Sequence, residues 1–344
     1  MRPGDTRVDL ASGLLVLDDG AAEVHVPRGE LVDPRRWGVR PGDMDMTVQI
    51  QEAFDEAPDG STLLFEPGTY PISDTLRLGR QLNVLASGAT FHLGTATPTV
   101  TFSPAVPENY AFVTAESISR YLTISERQTP ISAATLTDKA ALIWGSYQGN
   151  RPQRRWIRGL AVTRTASAPT AAARSHAGIV MSGCFECELD GVEITNFREG
   201  LVLLGNAEGC VHNRMVRVVV VDCRYGVTLY SHASGWVNQN SFYDGRTYNT
   251  TSILNDPSYD RAQWEFVRLM WGTTGTLPNG IGFYGWSLEG TPGRKLRLEG
   301  EGCTFVGCRW EASNGTDDIT EFRSMVRHTS IIGKIGILLK ISLL

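Results

Sequence analysis

Short segments in the middle of the chain alternate between hydrophobic and polar residues, and these segments recur along the sequence. Three near copies and a later fourth copy read Gly178-Ile179-Val180-Met181, Gly200-Leu201-Val202-Leu203, Gly226-Val227-Thr228-Leu229 and Gly280-Ile281-Gly282-Phe283. The first two intervals are 22 and 26 residues. Such intervals are too short for strand–helix–strand units. They predict a solenoid, in which each repeat buries its apolar face by stacking on the next.

The repeat extends beyond these segments and keeps its register. Apolar residues recur in alignment at Leu189, Met215, Phe242 and Phe305, and Val192-Glu193-Ile194-Thr195 alternates as a strand with one buried face does. Stacked coils of short strands and tight turns form a parallel β-helix with strands ~4.8 Å apart. The Leu-x-x-Leu-x-Leu spacing of a leucine-rich horseshoe is absent. We therefore predict an all-β, single-stranded parallel β-helix.

The first third of the chain carries a family resemblance. Its residues are Trp37-Gly38-Val39-Arg40-Pro41-Gly42-Asp43, Thr47-Val48-Gln49-Ile50-Gln51-Glu52-Ala53-Phe54-Asp55 and Gly60-Ser61-Thr62-Leu63-Leu64-Phe65-Glu66-Pro67-Gly68-Thr69-Tyr70. This arrangement resembles the opening of the pectate-lyase-like superfamily, which includes phage tailspikes and polysaccharide-degrading enzymes. The resemblance implies a right-handed parallel β-helix with an N-terminal capping α-helix. The family's usual Asp-Asp-Thr before the helix is Asp45-Met46-Thr47 here.

The predicted capping helix also follows from local chemistry. Thr47 can act as its N-cap, and Pro58 with Gly60 ends it. Its apolar face is expected to consist of Val48, Ile50, Phe54 and Ala57. A helix here would cover the unpaired strand edges and apolar core at the end of a solenoid.

The pattern divides the chain into four segments. Residues 1–32 form a lead-in, 33–95 the cap helix and first coils, 96–312 the β-helix with loop insertions, and 313–344 a C-terminal tail. The aromatic-rich stretch 247–279 interrupts the repeat. It is either an inserted loop that lines a binding groove or an extra coil whose aromatics pack inward.

Composition narrows the classes of partner. The 344 residues carry a formal net charge of −5, which argues against a nucleic-acid surface. The apolar run near the C-terminus is too short and too charged to span a bilayer. The N-terminus shows no apolar signal segment, so we expect an extracellular or virion-associated protein exported by a route other than a Sec signal.

Six cysteines lie within or beside the repeats, at positions 184, 187, 210, 223, 303 and 308. Cys184 and Cys187 have the spacing of half a zinc site, but no second ligand pair follows at a matching distance. No aspartate cluster suggests a calcium cage. We therefore expect buried thiols at coil corners, with no metal and no cofactor.

The outward ladder of the predicted coils supplies the candidate chemistry. Its carboxylates, and others at coil corners, are the candidate catalytic residues Glu193, Asp222, Asp244 and Glu311. The candidate substrate-binding residues are Arg246, Tyr248, His232, Trp264 and Trp271. Two carboxyl groups ~5–5.5 Å apart suit a retaining glycosidase, and ~6.5–9.5 Å suits an inverting one. Adjacent rungs provide the first spacing, and i, i+2 or skipped-rung positions provide the second. The alternative is that these charges are simply solvated.

These observations and the resemblance predict a protein that binds and cleaves an extended polysaccharide, as a tailspike depolymerase does. The glycan is expected to come from a capsule, an O-antigen or a plant or algal wall, with hydrolysis by a carboxylate pair. One alternative is a polysaccharide lyase acting on uronic acids, hinted at by Arg246 with His232 or Tyr243. The other is a non-catalytic adhesin or structural spike. The motif sets of polygalacturonases and pectate lyases are absent, so the resemblance transfers no catalytic residue. A homotrimer is expected by analogy with tailspikes.

Overall fold

The structure of the protein is a computed structural model. It describes residues 6–9, 14–18, 23–26, 31–95, 140–145, 151–165, 176–206, 208–232, 235–260, 264–271, 277–290, 294–298, 300–311, 319–322 and 329–332. Residues 96–139 and 166–175 and most of the C-terminal apolar run lie outside these residues.

Three long parallel sheets run the length of the described chain, and strands are numbered in chain order. Sheet I contains β7 (Leu76–Leu78), β10 (Ala140–Gly145), β13 (Ala177–Ser182), β16 (Glu199–Asn206), β20 (Tyr225–His232), β24 (Glu265–Trp271), β27 (Arg294–Leu298) and β30 (Ile319–Phe322). Sheet II contains β4 (Leu31–Val32), β5 (Thr62–Leu64), β8 (Asn83–Leu85), β11 (Trp156–Arg158), β14 (Glu188–Asp190), β18 (Arg214–Val216), β22 (Ser241–Tyr243), β25 (Gly282–Tyr284), β28 (Thr304–Val306) and β31 (Ser330–Ile332). Sheet III contains β6 (Gly68–Pro71), β9 (Ala89–His92), β12 (Ala161–Thr163), β15 (Glu193–Thr195), β19 (Val219–Val221), β23 (Arg246–Tyr248), β26 (Ser287–Glu289) and β29 (Arg309–Glu311).

Smaller elements complete the description. β1 (Thr6–Asp9), β2 (Leu14–Asp18) and β3 (Glu23–Val26) form an antiparallel sheet, and β17 (Gly209–Val211) pairs with β21 (Trp236–Asn238) at the corner between sheets I and II. The helices are a 3₁₀ helix (Pro34–Trp37), α1 (Thr47–Glu56) and α2 (Thr251–Leu254). No helix among the described residues has the length and apolarity needed to cross a membrane.

The chain visits sheets I, II and III once per coil, so the predicted parallel β-helix is confirmed. The predicted inward register is also confirmed, because Leu189 pairs with Met215 and Met215 with Phe242. The sheets continue past residue 312, in β30 and β31.

The prediction of the fourth repeat was wrong. Gly282 and Phe283 belong to sheet II, where they pair with Ser241 and Phe242. The true fourth copy in sheet I is β24, which pairs with β20 inside the supposed insertion. A glycine followed by apolar residues occurs in both kinds of strand, so the local pattern did not distinguish them. Residues 265–271 therefore form a strand of an additional coil, in which Phe266 is buried.

Corners between strands depend on left-handed backbone conformations. Between sheets II and III the left-handed residue is glycine in some coils and a larger residue in others: Gly159, Gly191, Arg217, Asp244, Gly285 and Gly307, with φ between 51° and 69°. Only glycine adopts this conformation without strain, so the larger residues are held there by the coils on either side. In these coils the shared turn conformation leads the chain from sheet II into sheet III at equivalent positions.

Helix α1 lies where the sequence predicts it, with Ile50, Ala53 and Phe54 buried in the shared core. Two details differ from the expectation. Thr47 is the first helical residue, and the carboxylate of Asp45 accepts its backbone N–H at 3.0 Å. Val48 is exposed instead of facing the core. The role of helix α1 as the cap of the solenoid end stays a prediction.

The glycine of the sequence repeat is required by close packing. A Cβ on Gly200 would overlap Cγ1 of Val220 and lie 2.7 Å from the carbonyl oxygen of Gly226. We expect Gly200→Ala to lower the free energy of unfolding by about 1–3 kcal/mol, because extra volume in a packed core forces neighbours to move. Urea unfolding of both proteins measures the difference.

The chain provides a matched control for this substitution. Ala141 occupies the equivalent position in an earlier coil, since Ala140 pairs with Ala177 and Leu142 with Ile179. Ala141→Gly removes a methyl group and should cost no more than about 1 kcal/mol. If Gly200→Ala costs nothing, the packing around Gly200 in β16 is not close.

Candidate functional site

The outward positions of sheet II carry mostly polar and aromatic residues, nearly all of them half-buried or exposed, and we call this surface the sheet II face. On each strand the central residue points into the core and its two neighbours point outward. The face consists of Trp156, Arg158, Glu188, Asp190, Arg214, Val216, Ser241, Tyr243, Gly282 and Tyr284. Adjacent rungs are ~4.8 Å apart, so the four steps from β11 to β25 span about 19 Å.

Two tyrosines form a flat platform at one end of the sheet II face. The rings of Tyr243 and Tyr284 stack with centroids 5.1 Å apart and planes inclined by 14°. A Cβ on Gly282 would lie 2.5 Å from the Tyr284 ring, so the glycine leaves room for the ring to lie across its strand. Both rings are half exposed, which leaves an aromatic surface available to a ligand.

Two carboxylates lie in the middle of the sheet II face, and arginines surround them. One oxygen of Glu188 accepts from Arg158 at 3.0 Å, and the other lies 3.4 Å from Arg214. Both oxygens of Asp190 accept hydrogen bonds from Arg217, at 2.7 and 2.9 Å. These contacts hold the carboxylates in fixed positions beside exposed cations.

Aromatic rings lie on both sides of these carboxylates. Trp156 is the neighbour of Glu188 on the adjacent rung. The guanidinium carbon of Arg158 lies 4.7 Å from the ring centroid of Trp156. The guanidinium carbon of Arg214 lies 5.7 Å from the centroid of Tyr243. The charged centre and the aromatic platforms therefore form one surface.

The structure does not bring the four candidate catalytic residues together. Glu193 begins β15 and Glu311 ends β29, both on sheet III but four rungs apart. Asp244 lies at the corner between sheets II and III. Asp222 lies at the corner that follows sheet III, where it accepts the N–H and the hydroxyl of Thr250, both at 2.7 Å. Their backbone positions put the four residues on different rungs and corners of the solenoid.

Among the candidate binding residues whose side chains the structure describes, Arg246 and Tyr248 contact each other on sheet III, with the guanidinium carbon 4.4 Å from the ring centroid. Trp264 is buried against Tyr259, with ring centroids 5.1 Å apart, and so does not line an open groove. His232 and Trp271 end strands β20 and β24 of sheet I, and their side chains lie outside the described residues.

The sequence-derived ladder on sheet III has the predicted register. Glu193 pairs with Val219 and Val219 with Arg246, and the column continues through Ser287 to Arg309. The backbone also places Glu289 beside Glu311 on adjacent rungs, although the Glu311 side chain lies outside the described residues. The sequence pattern did not identify β26 as a rung of sheet III, so this pair was missed.

A second charged group, the sheet I cluster, lies on the outer side of sheet I. It consists of Arg198, Glu199, Arg224, Tyr225, Thr228, Glu265, Arg268 and Arg297, all buried. Arg268 donates to Glu199 at 3.1 Å and to Thr228 at 3.0 Å, and Arg297 lies 3.7 Å from Glu265. Sequence alternation places several of these residues outward, next to the repeated glycines, but it does not reveal their burial. The cluster is closed to solvent, so a polymeric ligand cannot reach it in this structure.

The cysteines are all free and buried. Burial raises the pKa of Cys210 to about 12 and raises the pKa of Cys184 well above its ordinary value. Thiols of this kind stay protonated and are poor nucleophiles. Among the described residues, no group of three or more His, Cys, Asp or Glu side chains is arranged to hold a metal ion.

No protein-family model and no curated protein matches the sequence. Three solved structures that do match are ORF18 of Geobacillus virus E2, endo-xylogalacturonan hydrolase from Aspergillus tubingensis, and the enzymatically active domain of tailspike protein 2 of bacteriophage CBA120. Their identities to this chain are 10%, 9% and 12%, and their TM-scores are 0.43, 0.46 and 0.46. The matches cover 94%, 91% and 92% of this chain, and 67%, 93% and 44% of the respective structures.

At such identities the likeness concerns the fold alone. The protein is a parallel β-helix protein, and the three sheets of its own structure define that class.

Proposed function

We propose that the protein binds an extended polysaccharide along the sheet II face and cleaves it. The observation that carries the proposal is the group of charged side chains on the sheet II face, with half-buried aromatic rings on the rungs at either end. Sugar rings have apolar C–H faces that pack on aromatic rings, and their hydroxyl groups hydrogen-bond to carboxylates and guanidinium groups. A narrow strip about 19 Å long suits an extended polymer better than a compact ligand, for which a concave pocket is usual.

The charges on the sheet II face largely compensate one another, so a ligand of this face does not need a strong charge. Arg158, Arg214 and Arg217 are each within reach of a carboxylate, so much of the charge on the face is compensated. Such a surface presents many hydrogen-bonding groups with little net charge. A polymer rich in hydroxyl groups fits this chemistry, and we place the protein outside the cell or on a virion, where such polymers are accessible.

A non-catalytic adhesin is the second candidate function. Arginines contact both carboxylates of the sheet II face, and this arrangement also serves binding alone. The lyase alternative has no such support, because Arg246, His232 and Tyr243 belong to sheets III, I and II respectively. Trimerisation stays a prediction.

Incubation with capsular, O-antigen and plant or algal polysaccharides tests the proposal. New reducing ends identify hydrolysis, absorbance near 232 nm from an unsaturated uronate identifies a lyase, and retention without products identifies an adhesin. A protein that neither retains nor cuts any polysaccharide of the panel would refute the carbohydrate function.

The tyrosine platform gives a sharper test of where the polymer lies. We expect Tyr284→Ala to weaken polysaccharide retention by about 3- to 10-fold, since one aromatic stacking contact contributes roughly 0.5–1.5 kcal/mol. Affinity electrophoresis in gels containing the polysaccharide measures this change. The control Tyr284→Phe keeps the ring and should keep most of the retention. If Tyr248→Ala weakens retention and Tyr284→Ala does not, the polymer lies on sheet III instead.

A further inference from the structure

We propose that Glu188 and Asp190 are the general acid and general base of an inverting hydrolysis at the sheet II face. The inference rests on the proposed function, because it assigns the chemistry of that same surface. Glu188 and Asp190 differ from the sequence-derived catalytic candidates, none of which lies on a strand of sheet II.

The spacing of the two residues is the first argument. They occupy positions i and i+2 of β14 on either side of Leu189, which is fully buried, so both side chains point outward. A strand rises about 3.3 Å per residue, which separates their Cα atoms by roughly 6.6 Å. Inverting glycosidases hold their carboxyl groups about 6.5–9.5 Å apart to leave room for a water molecule, and outward side chains on Cα atoms at this separation can reach that range. Among the described strands of the three sheets, β14 alone carries two outward carboxylates.

The position of the pair on the sheet II face is the second argument. Trp156 lies on the rung before Glu188, and Tyr243 lies two rungs after Asp190. A polymer that packs on both aromatic residues must cross β14, so one of its glycosidic bonds passes over the carboxylates. The side chains of Glu188 and Asp190 are 21% and 18% exposed, which makes them accessible but partly shielded from water.

The arginine contacts distinguish the two roles. Arg217 donates to both oxygens of Asp190, which fixes the orientation of this carboxylate, and we assign it the role of the base. Arg214 is 60% exposed and its 3.4 Å contact with Glu188 is longer than a good hydrogen bond. A bound sugar can draw Arg214 away. Glu188 then loses one of its two cations, and its second oxygen is free to face the glycosidic oxygen.

The reaction follows from these positions. Glu188, in its protonated form, gives its proton to the glycosidic oxygen as the bond from that oxygen to the anomeric carbon breaks. A water oxygen forms a new bond to the anomeric carbon from the opposite side, and Asp190 takes the proton that this water loses. One water is consumed per bond cleaved, and proton exchange with solvent restores both carboxyl groups. The new reducing end has the inverted anomeric configuration.

Isosteric variants and product stereochemistry test this inference on a polysaccharide that the wild-type protein cleaves. We expect Glu188→Gln and Asp190→Asn each to lower the cleavage rate by about 100-fold or more, in line with the contribution of positioned acids and bases. Polysaccharide retention and the unfolding midpoint should stay close to those of the wild type. The control is Glu186→Gln, which alters an exposed glutamate of the same coil that pairs with Arg154 at 2.6 Å. It should cleave at the wild-type rate.

The possible outcomes separate the inference from the proposed function. If the wild type neither binds nor cuts polysaccharide, the proposed function fails and the inference fails with it. If the wild type retains polysaccharide without cutting it, binding stands and the catalytic assignment is wrong. Near-normal cleavage by either variant overturns the assignment. Products with retained anomeric configuration, detected by NMR, would also overturn the assignment. The carboxylates to test next would then be a pair on adjacent rungs, such as Glu289 and Glu311.

Discussion

Arg268→Ala is expected to lower the free energy of unfolding by about 3–5 kcal/mol, the usual cost of removing one partner from a buried ion pair. Arg268 and Glu199 are 0% and 4% exposed, and their side chains lie 3.1 Å apart. The same guanidinium donates to Thr228 at 3.0 Å and lies 3.3 Å from the Tyr225 ring centroid. Removal of the Arg268 side chain takes away the shortest described ion-pair contact of the Glu199 carboxylate. It also opens a cavity beside the Tyr225 ring.

Chemical denaturation of the wild type and variants measures this loss. Arg35→Ala is the matched control, because Arg35 also contacts two acidic residues, Asp33 at 2.6 Å and Glu66 at 2.9 Å, but on the exposed surface. Exposed ion pairs are screened by water and salt, so the control should unfold close to the wild type. A double-mutant cycle with Glu199→Gln isolates the pair itself. Equal effects at Arg268 and Arg35 would show that the sheet I cluster is solvated in solution.

Phe283→Ala is expected to be equally severe, with a loss of about 3–5 kcal/mol, because it removes the middle ring of a core stack. The Phe283 ring lies 4.3 Å from that of Phe242, with planes inclined by 8°, and 5.1 Å from that of Phe305, with planes inclined by 3°. Trp286 packs against its edge at 5.8 Å. Each coil holds its neighbours through this column, so a gap in the middle affects the coils on both sides.

The adjacent residue provides the control for this second prediction. Tyr284 follows Phe283 on the same strand but points outward, and its ring is half exposed. Tyr284→Ala should therefore cost far less in thermal or urea unfolding, as surface substitutions usually do. A similar loss at both positions would mean that β25 does not have the register described for it.

The inward register was predictable from the sequence, whereas the coil that contains Phe283 was not. Leu189, Met215 and Phe242 align by simple alternation, because a strand exposes one face and buries the other. Phe283 was assigned to the wrong sheet, since Gly280-Ile281-Gly282-Phe283 imitates the glycine-led strands of sheet I. Hydrogen-bond pairing of β25 with β22 resolves the ambiguity, and pairing is a property of the folded chain.

The candidate site shows the same division between local and long-range information. Alternation alone indicates that Glu188 and Asp190 point outward, and the i, i+2 spacing was already recognised as suitable for an inverting pair. That Trp156 lies beside Glu188 follows only from the pairing of β11 with β14, 32 residues apart in the chain. The sequence does not specify how the chain between β11 and β14 returns to sheet II. The residues that lie side by side on adjacent rungs could therefore not be assigned from the sequence.

The sequence by itself determined the parallel β-helix, the residues that face its core and the position of helix α1, because these depend on local periodicity and on glycine or apolar residues at fixed offsets. Only the tertiary structure decided which coils are neighbours, which outward residues stay exposed and which are buried. Glu199 and Glu188 both lie on outward faces, yet one is closed off in the sheet I cluster and the other remains accessible on the sheet II face. Burial depends on what packs over a strand, and that contact comes from residues distant in the chain.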